Sequence, residues 1–224
     1  MRSGFAFALS VAVALAGTGC AGALGNGAAL SARSADESVS VGERRDVAAG
    51  LVVTKPLEFD RGDHHYIGGI ARGLVPATPD QVLAALDDVD ALRAMLPRTK
   101  RATFVDAEGG ARRIELRQGN SVVDATYTVR LAPTGPGELG FRLDPSRPHD
   151  IDDVYGYFKV EPYDGTRSLV TVAAAVDVGS GLTVMLFGKR VQDVILSTPG
   201  AMKTFFARSE GLPAGSFVAQ NDAR

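Results

Sequence analysis

An α+β domain follows from three features of the 224-residue sequence. A strand-like run, Tyr66 to Val75, gives way after Pro76 to two short amphipathic helical patterns. Six extended runs then succeed one another between Ala102 and Val178, and a long helical pattern opens after Gly179-Ser180-Gly181. The expected body is a single antiparallel sheet of about six to seven strands, two small helices after the first strand, and one long C-terminal helix.

Pro76 ends the first strand, because proline cannot donate to a ladder and pushes Val75 toward an extended backbone. Thr78-Pro79-Asp80 then starts a helix: a hydroxyl at the N-cap, a proline suited to the first turn, and an acid near the positive end of the dipole. Val82, Leu83 and Leu86 form its apolar face. A second helix, Asp88 to Leu96, carries Val89, Leu92, Met95 and Leu96 before Pro97 stops it. Strands follow at Ala102 to Asp106, Arg112 to Gln118 and Val122 to Leu131, with turns at Glu108-Gly109-Gly110 and Gly119-Asn120. In Val122 to Leu131 the alternation is strict: Val123, Ala125, Tyr127, Val129 and Leu131 share one face, and polar residues share the other. Pro133 to Gly137 reads as a turn, Leu139 to Leu143 as a strand with Phe141 inward, and Pro145 to Asp153 as a loop. Val154 to Val160 and Ser168 to Val178 complete the sheet, the last strand having small side chains at Ala173, Ala174 and Ala175. In the final helix Val184, Phe187, Val191, Val194, Thr198, Ala201 and Phe205 recur at helical spacing. Pro199-Gly200 predicts a kink or break near Ser197, with Thr198 capping the second part.

Four segments are expected. Residues 1–20 carry the marks of an export signal: Arg2, an apolar run from Phe5 to Ala16 too short to span a bilayer, then small residues up to Cys20, the only cysteine. This stretch resembles a bacterial lipobox, with Gly19 in its small position and Gly17 where an aliphatic residue is usual. The resemblance implies diacylation of Cys20 and attachment to a membrane of the cell envelope, the outer membrane or periplasmic face being favoured because Ala21, not aspartate, follows. Export as a secreted or periplasmic protein is the alternative. Residues 21–50, rich in Gly, Ala and Ser, read as a flexible tether; residues 51–210 form the domain, and 211–224 a loose tail. One thiol makes no internal disulfide, so an exported body depends on core packing.

The formal net charge of −2 excludes the broad positive field of a nucleic-acid binder. Arg98-Thr99-Lys100-Arg101, and Arg112-Arg113 with Arg117, read as solvated faces, contact with anionic head groups being the alternative. His64, His65 and His149 lack metal-ligand spacing, and the acidic loop around Asp150, Asp152 and Asp153 lacks the twelve-residue calcium pattern. There is no nucleophile elbow, P-loop or Cys-x-x-Cys, so no metal or cofactor is expected. Tyr127 and Gln118 are polar residues facing inward by parity, most simply a buried phenol with one hydrogen bond and a strand-end amide.

The order of elements from about Leu57 to Arg208 resembles the START and polyketide cyclase superfamily, also called Bet v 1-like. The resemblance is carried by Val75-Pro76-Ala77-Thr78-Pro79-Asp80-Gln81-Val82, by Leu92 to Pro97, and by the glycine-led final helix. It implies a helix-grip fold, a curved sheet around the last helix with a cavity for lipids, sterols, quinones or polyketides between them. The implied function is binding of an apolar or amphipathic small molecule, the expected lining being Leu116, Ala125, Tyr127, Phe141, Phe158, Val172, Ala174, Phe187, Val191 and Val194. The alternatives are a cyclase or aromatase acting on a polyketide-like substrate, and a structural protein with a filled core.

Overall fold

The computed structural model describes residues 40–120, 124–179 and 182–209, and of residues 182–188 and 209 the backbone alone. Its elements are α1 (Val41–Ala48), β1 (Val53–Arg61), β2 (His64–Val75), α2 (Pro79–Asp87), α3 (Val89–Met95), β3 (Thr99–Glu108), β4 (Ala111–Gly119), β5 (Asp124–Gly135), β6 (Glu138–Leu143), β7 (Asp153–Pro162), β8 (Ser168–Asp177) and α4 (Leu182–Ser209). The eight strands form one open sheet in the order β1-β2-β8-β7-β6-β5-β4-β3, every neighbouring pair antiparallel.

The expected start signals act as the sequence suggests. The Thr78 hydroxyl accepts the Gln81 N–H, and the Gln81 side chain accepts the Thr78 N–H at 2.9 Å, with Pro79 in the first turn. Asp88 caps α3 by accepting the Ala91 N–H at 2.8 Å. Four details differ from the sequence reading. The end of the expected tether is helical, because Ser40 and Glu43 close a capping box at the start of α1 and Val47 is buried. A strand, β1, precedes the one expected first, which itself starts at His64. β5 runs on to Gly135, through Pro133 and Thr134. Finally, α4 is continuous through Pro199. Proline there removes one N–H donor, and the Ser197 and Thr198 hydroxyls donate to the Val194 carbonyl at 3.0 and 3.1 Å instead of capping a new helix. The buried proline also packs on the sheet, which offsets what it takes from the helix.

That packing depends on glycine. Gly69 and Gly73 lie on the inner face of β2, and a methyl group at Gly69 would sit 2.7 Å from the Leu196 side chain, one at Gly73 3.1 Å from Pro199. Gln192 reaches over the same strand to donate to the Gly68 carbonyl at 3.0 Å. The distal half of α4, with Met202 and Phe206 both buried, is thereby seated beside β2. The inner faces of β4, β5, β7 and β8, together with α2, α3 and α4, form the main core, including Val82, Leu86, Met95, Ile114, Val129 and Val170. A second cluster, Tyr66, Ile70, Tyr155, Tyr157, Ala173 and Ala175, occupies the outer face of β2, β7 and β8, where Tyr66 donates to Asp153 at 2.6 Å.

Farther along the outer face Arg113, Arg130 and Arg142 stand opposite one another on β4, β5 and β6. Like charges so placed repel. Asp144 answers them from a fully buried position, meeting Arg113 at 2.8 Å and Arg130 at 3.0 Å while accepting the Ser146 N–H and hydroxyl. Burial alone would raise its pKa; hydrogen bonds from Arg130 and Ser146 outweigh it and hold the carboxyl well below the ordinary 3.8. Replacing Asp144 by Ala leaves Arg130 without an acid among the described residues, while Arg113 keeps Asp106 and Glu108, and is expected to cost about 3 kcal/mol in urea unfolding. Because the folded pKa is depressed, the contribution of Asp144 is present above pH 3.8 and is lost as pH falls below it. Acid titration of wild type and Asp144→Ala should therefore converge.

Candidate functional site

Between the inner face of the sheet and the first half of α4 lies a cavity of about 290 Å³. Alternation puts its walls there: Ile114 and Leu116 from β4, Ala125, Tyr127, Val129 and Leu131 from β5, Phe141 from β6, Val154 and Phe158 from β7, and Val172, Ala174 and Val176 from β8. Val191, Val194 and Ile195 of α4 close one side; Leu92 of α3 and the following Leu96 close another. Of the strand residues here, Ala174 lines the cavity, and its partners Gly69 on β2 and Gly156 on β7 raise no side chain from the inner face. At Gly156 a methyl group would lie 2.5 Å from the Phe141 ring, which leans over the glycine and packs on Phe158 at 5.4 Å between centroids.

Polar groups enter at two places. Tyr127, buried, donates to the Gln118 side-chain oxygen, and the Gln118 amide donates to Thr99 Oγ1 at 2.7 Å, a chain running from the cavity interior to the edge strand. Burial pushes the Tyr127 phenol well above its ordinary pKa of 10, so it stays protonated at any physiological pH and serves as a donor. At the mouth stand Arg98, Asn120, Asp124, Asp150 and Arg190. Near it, beyond Val178, the His64 ring and the Gly179 N–H both bond buried Asp177, at 2.7 and 2.9 Å, fixing the corner where β8 turns toward α4. The hydrogen bond to Asp177 raises the His64 pKa above 6.5, against the opposing effect of burial. Among the described residues no group of three or more His, Cys, Asp or Glu side chains is placed to hold a metal ion.

Residues 72–199, more than half of the chain, match the family described as polyketide cyclase / dehydrase and lipid transport. The chain belongs to that family. Solved structures that include START-type proteins share its fold. The protein TTHA0849 from Thermus thermophilus superposes with a TM-score of 0.53 at 17% identity, over 63% of this chain and 97% of that one. A START superfamily protein from Mycobacterium smegmatis gives 0.52 at 12% identity, over 70% and 97%. The STAR-related lipid transfer protein from Xanthomonas axonopodis (fragment 25–204) gives 0.50 at 17%, over 69% and 98%. Curated proteins provide no match. The α+β helix-grip architecture is that of these relatives, with eight strands where six or seven were expected.

Of the residues expected to line a site, Leu116, Ala125, Tyr127, Phe141, Phe158, Val172, Ala174, Val191 and Val194 all border this cavity. Phe187 belongs to α4, but its side chain lies outside the described residues, as do Cys20 and the signal and tether segments before Ser40. The polar mouth escaped sequence reasoning, because its members come from two loops, two strand ends and a helix turn that share no periodicity. His64 and His65 belong to β2, and His65 pairs with Asp60 at 2.7 Å. Replacing Tyr127 by Phe should leave the half-buried Gln118 oxygen without its donor and cost about 1 kcal/mol in thermal or urea unfolding, with the cavity unchanged in shape.

Proposed function

We propose that the protein binds, and carries or sequesters, one apolar or amphipathic small molecule in the cavity between the sheet and α4. The observation that supports this reading is the cavity itself: about 290 Å³ walled by aliphatic and aromatic side chains that belong to the main core. Membership of a family that includes lipid transport, and the likeness to a lipid transfer protein, support it further. The volume suits about ten water-sized groups at about 30 Å³ each. Burying about ten methylenes contributes about 8 kcal/mol. Association opposes this by at least about 4 kcal/mol, which leaves roughly millimolar affinity from apolar burial alone. Polar contacts at the mouth then decide whether binding becomes useful.

The Tyr127–Gln118–Thr99 chain favours a second reading, a cyclase-type enzyme in which the phenol donates to a developing oxyanion on a polyketide-like substrate. The Tyr127→Phe variant separates the two, since a carrier keeps its ligand and an enzyme of this kind loses turnover. The carrier reading is tested by native mass spectrometry of the protein from its own cells, alongside Ala174→Leu. A co-purifying small molecule is expected in the wild type and absent from the variant, whose unfolding free energy stays within about 1 kcal/mol of wild type because the larger side chain occupies empty space. A large fall in stability with no ligand in either protein rejects the reading.

We propose further that the domain works at a membrane of the cell envelope, tethered through a lipid on Cys20. Arg2, the apolar run Phe5 to Ala16 and the lone cysteine support this. Radiolabelled palmitate should label the wild type and not Cys20→Ser, and the variant should move to the soluble fraction; equal labelling of both removes the anchor.

A further inference from the structure

The mouth of the cavity holds two guanidinium groups that no described residue neutralises. Arg98, between α3 and β3, and Arg190, on α4, both border the cavity and are exposed, and neither side chain makes an ion pair or hydrogen bond among the described residues. The neighbouring acids are already engaged. Asp124 is held by Lys100 and by Arg117 at 2.6 Å, and the Asp150 carboxylate accepts the Thr126 N–H at 2.8 Å. The four charged lining residues balance, but Asp124 is shared between Lys100 and Arg117, so Arg98 and Arg190 outnumber Asp150, the one lining acid with no cation on it among the described residues. Arg98 is also the one non-glycine with a positive φ, 59°, among the described residues. Its carbonyl accepts the Gly119 N–H at 3.0 Å, fastening this unfavourable conformation to the end of β4. Backbone strain in a long side chain persists where the surrounding structure fixes its direction, and such positions cluster at binding sites.

The geometry points to an anionic amphiphile as the ligand: an apolar chain or ring in the cavity, and an oxyanion head, carboxylate or phosphate, met at the mouth by Arg98 and Arg190. Guanidinium groups suit either head through paired N–H donors, and the apolar walls reject the charge from the interior. The inference rests on the carrier reading and narrows it.

Calorimetric titration of the purified protein at low salt with decanoate, decyl phosphate and decanol tests it, because the three share a chain that fits the cavity and differ at the head. At least one anion should bind about tenfold more tightly than decanol. Arg98→Ala and Arg190→Ala should each lose about that factor for the anion and none for the alcohol, with unfolding curves unchanged. Which anion binds better identifies the head group. Equal binding of decanol and both anions, or equal losses for all three in the variants, overturns the head-group inference and leaves the carrier standing. Binding of none of the three overturns both.

Discussion

The seating of α4 on β2 is the constraint from which the remaining architecture follows. A helix and a sheet normally fill the space between them with side chains, but Gly69 and Gly73 let Leu196 and Pro199 press almost to the backbone of one strand near the sheet edge. The helix is thus drawn to one side. The same sheet continues through β8, β7, β6, β5 and β4 away from that contact, and strand twist carries its inner face around the helix. Where the helix stands off, the facing residues are Ala174, Val172 and Val176, too short to bridge the gap, and a void results. Gln192, bonded to the Gly68 carbonyl, and buried Met202 and Phe206 hold the arrangement in place.

Much of this order was legible because local and global signals agree. Thr78, Pro79, Gln81 and Asp88 announce two helix starts through hydrogen bonds made within three residues, and the alternation from Ala125 to Leu131 states which face of β5 is inner. The discrepancies lie where tertiary contact overrides local preference. β1 is an edge strand, paired on one side only, so Lys55, Pro56 and Glu58 are tolerated and its apolar pattern reduces to Leu57 and Phe59 against the outer cluster. The proline of α4 reads as a break by propensity, yet its ring is a packing surface against Gly73. The helix in the tether depends on a capping box and one buried valine, which composition averages away.

The site divides along the same line. Residues on strands declared themselves by parity, and the apolar wall from Leu116 to Ala174 could be drawn without coordinates. Tyr127 and Gln118 were visible as inward polar groups, although that they bond each other depends on the β4–β5 register, which pairs Leu116 with Tyr127 and leaves Gln118 diagonal to it. Arg98 and Arg190 were not legible as neighbours of a cavity. One sits in a short basic run that reads as a solvated face, the other on a helix turn, and only the fold makes them border a common opening.

The two margins of the open sheet have a consequence for the molecule's behaviour in a crowded compartment. Unpaired backbone donors and acceptors at such margins invite foreign chains to add on, the route by which β-rich proteins grow into fibres. On one margin Pro56 deletes a donor from β1. On the other, β3 is interrupted by two irregularities, between Thr99 and Arg101 and between Phe104 and Asp106, and bristles with Lys100, Arg101, Asp106 and Glu108. A hollow fold gives up some cohesive contacts, and these blunted borders discourage the self-association that such a loss would otherwise promote.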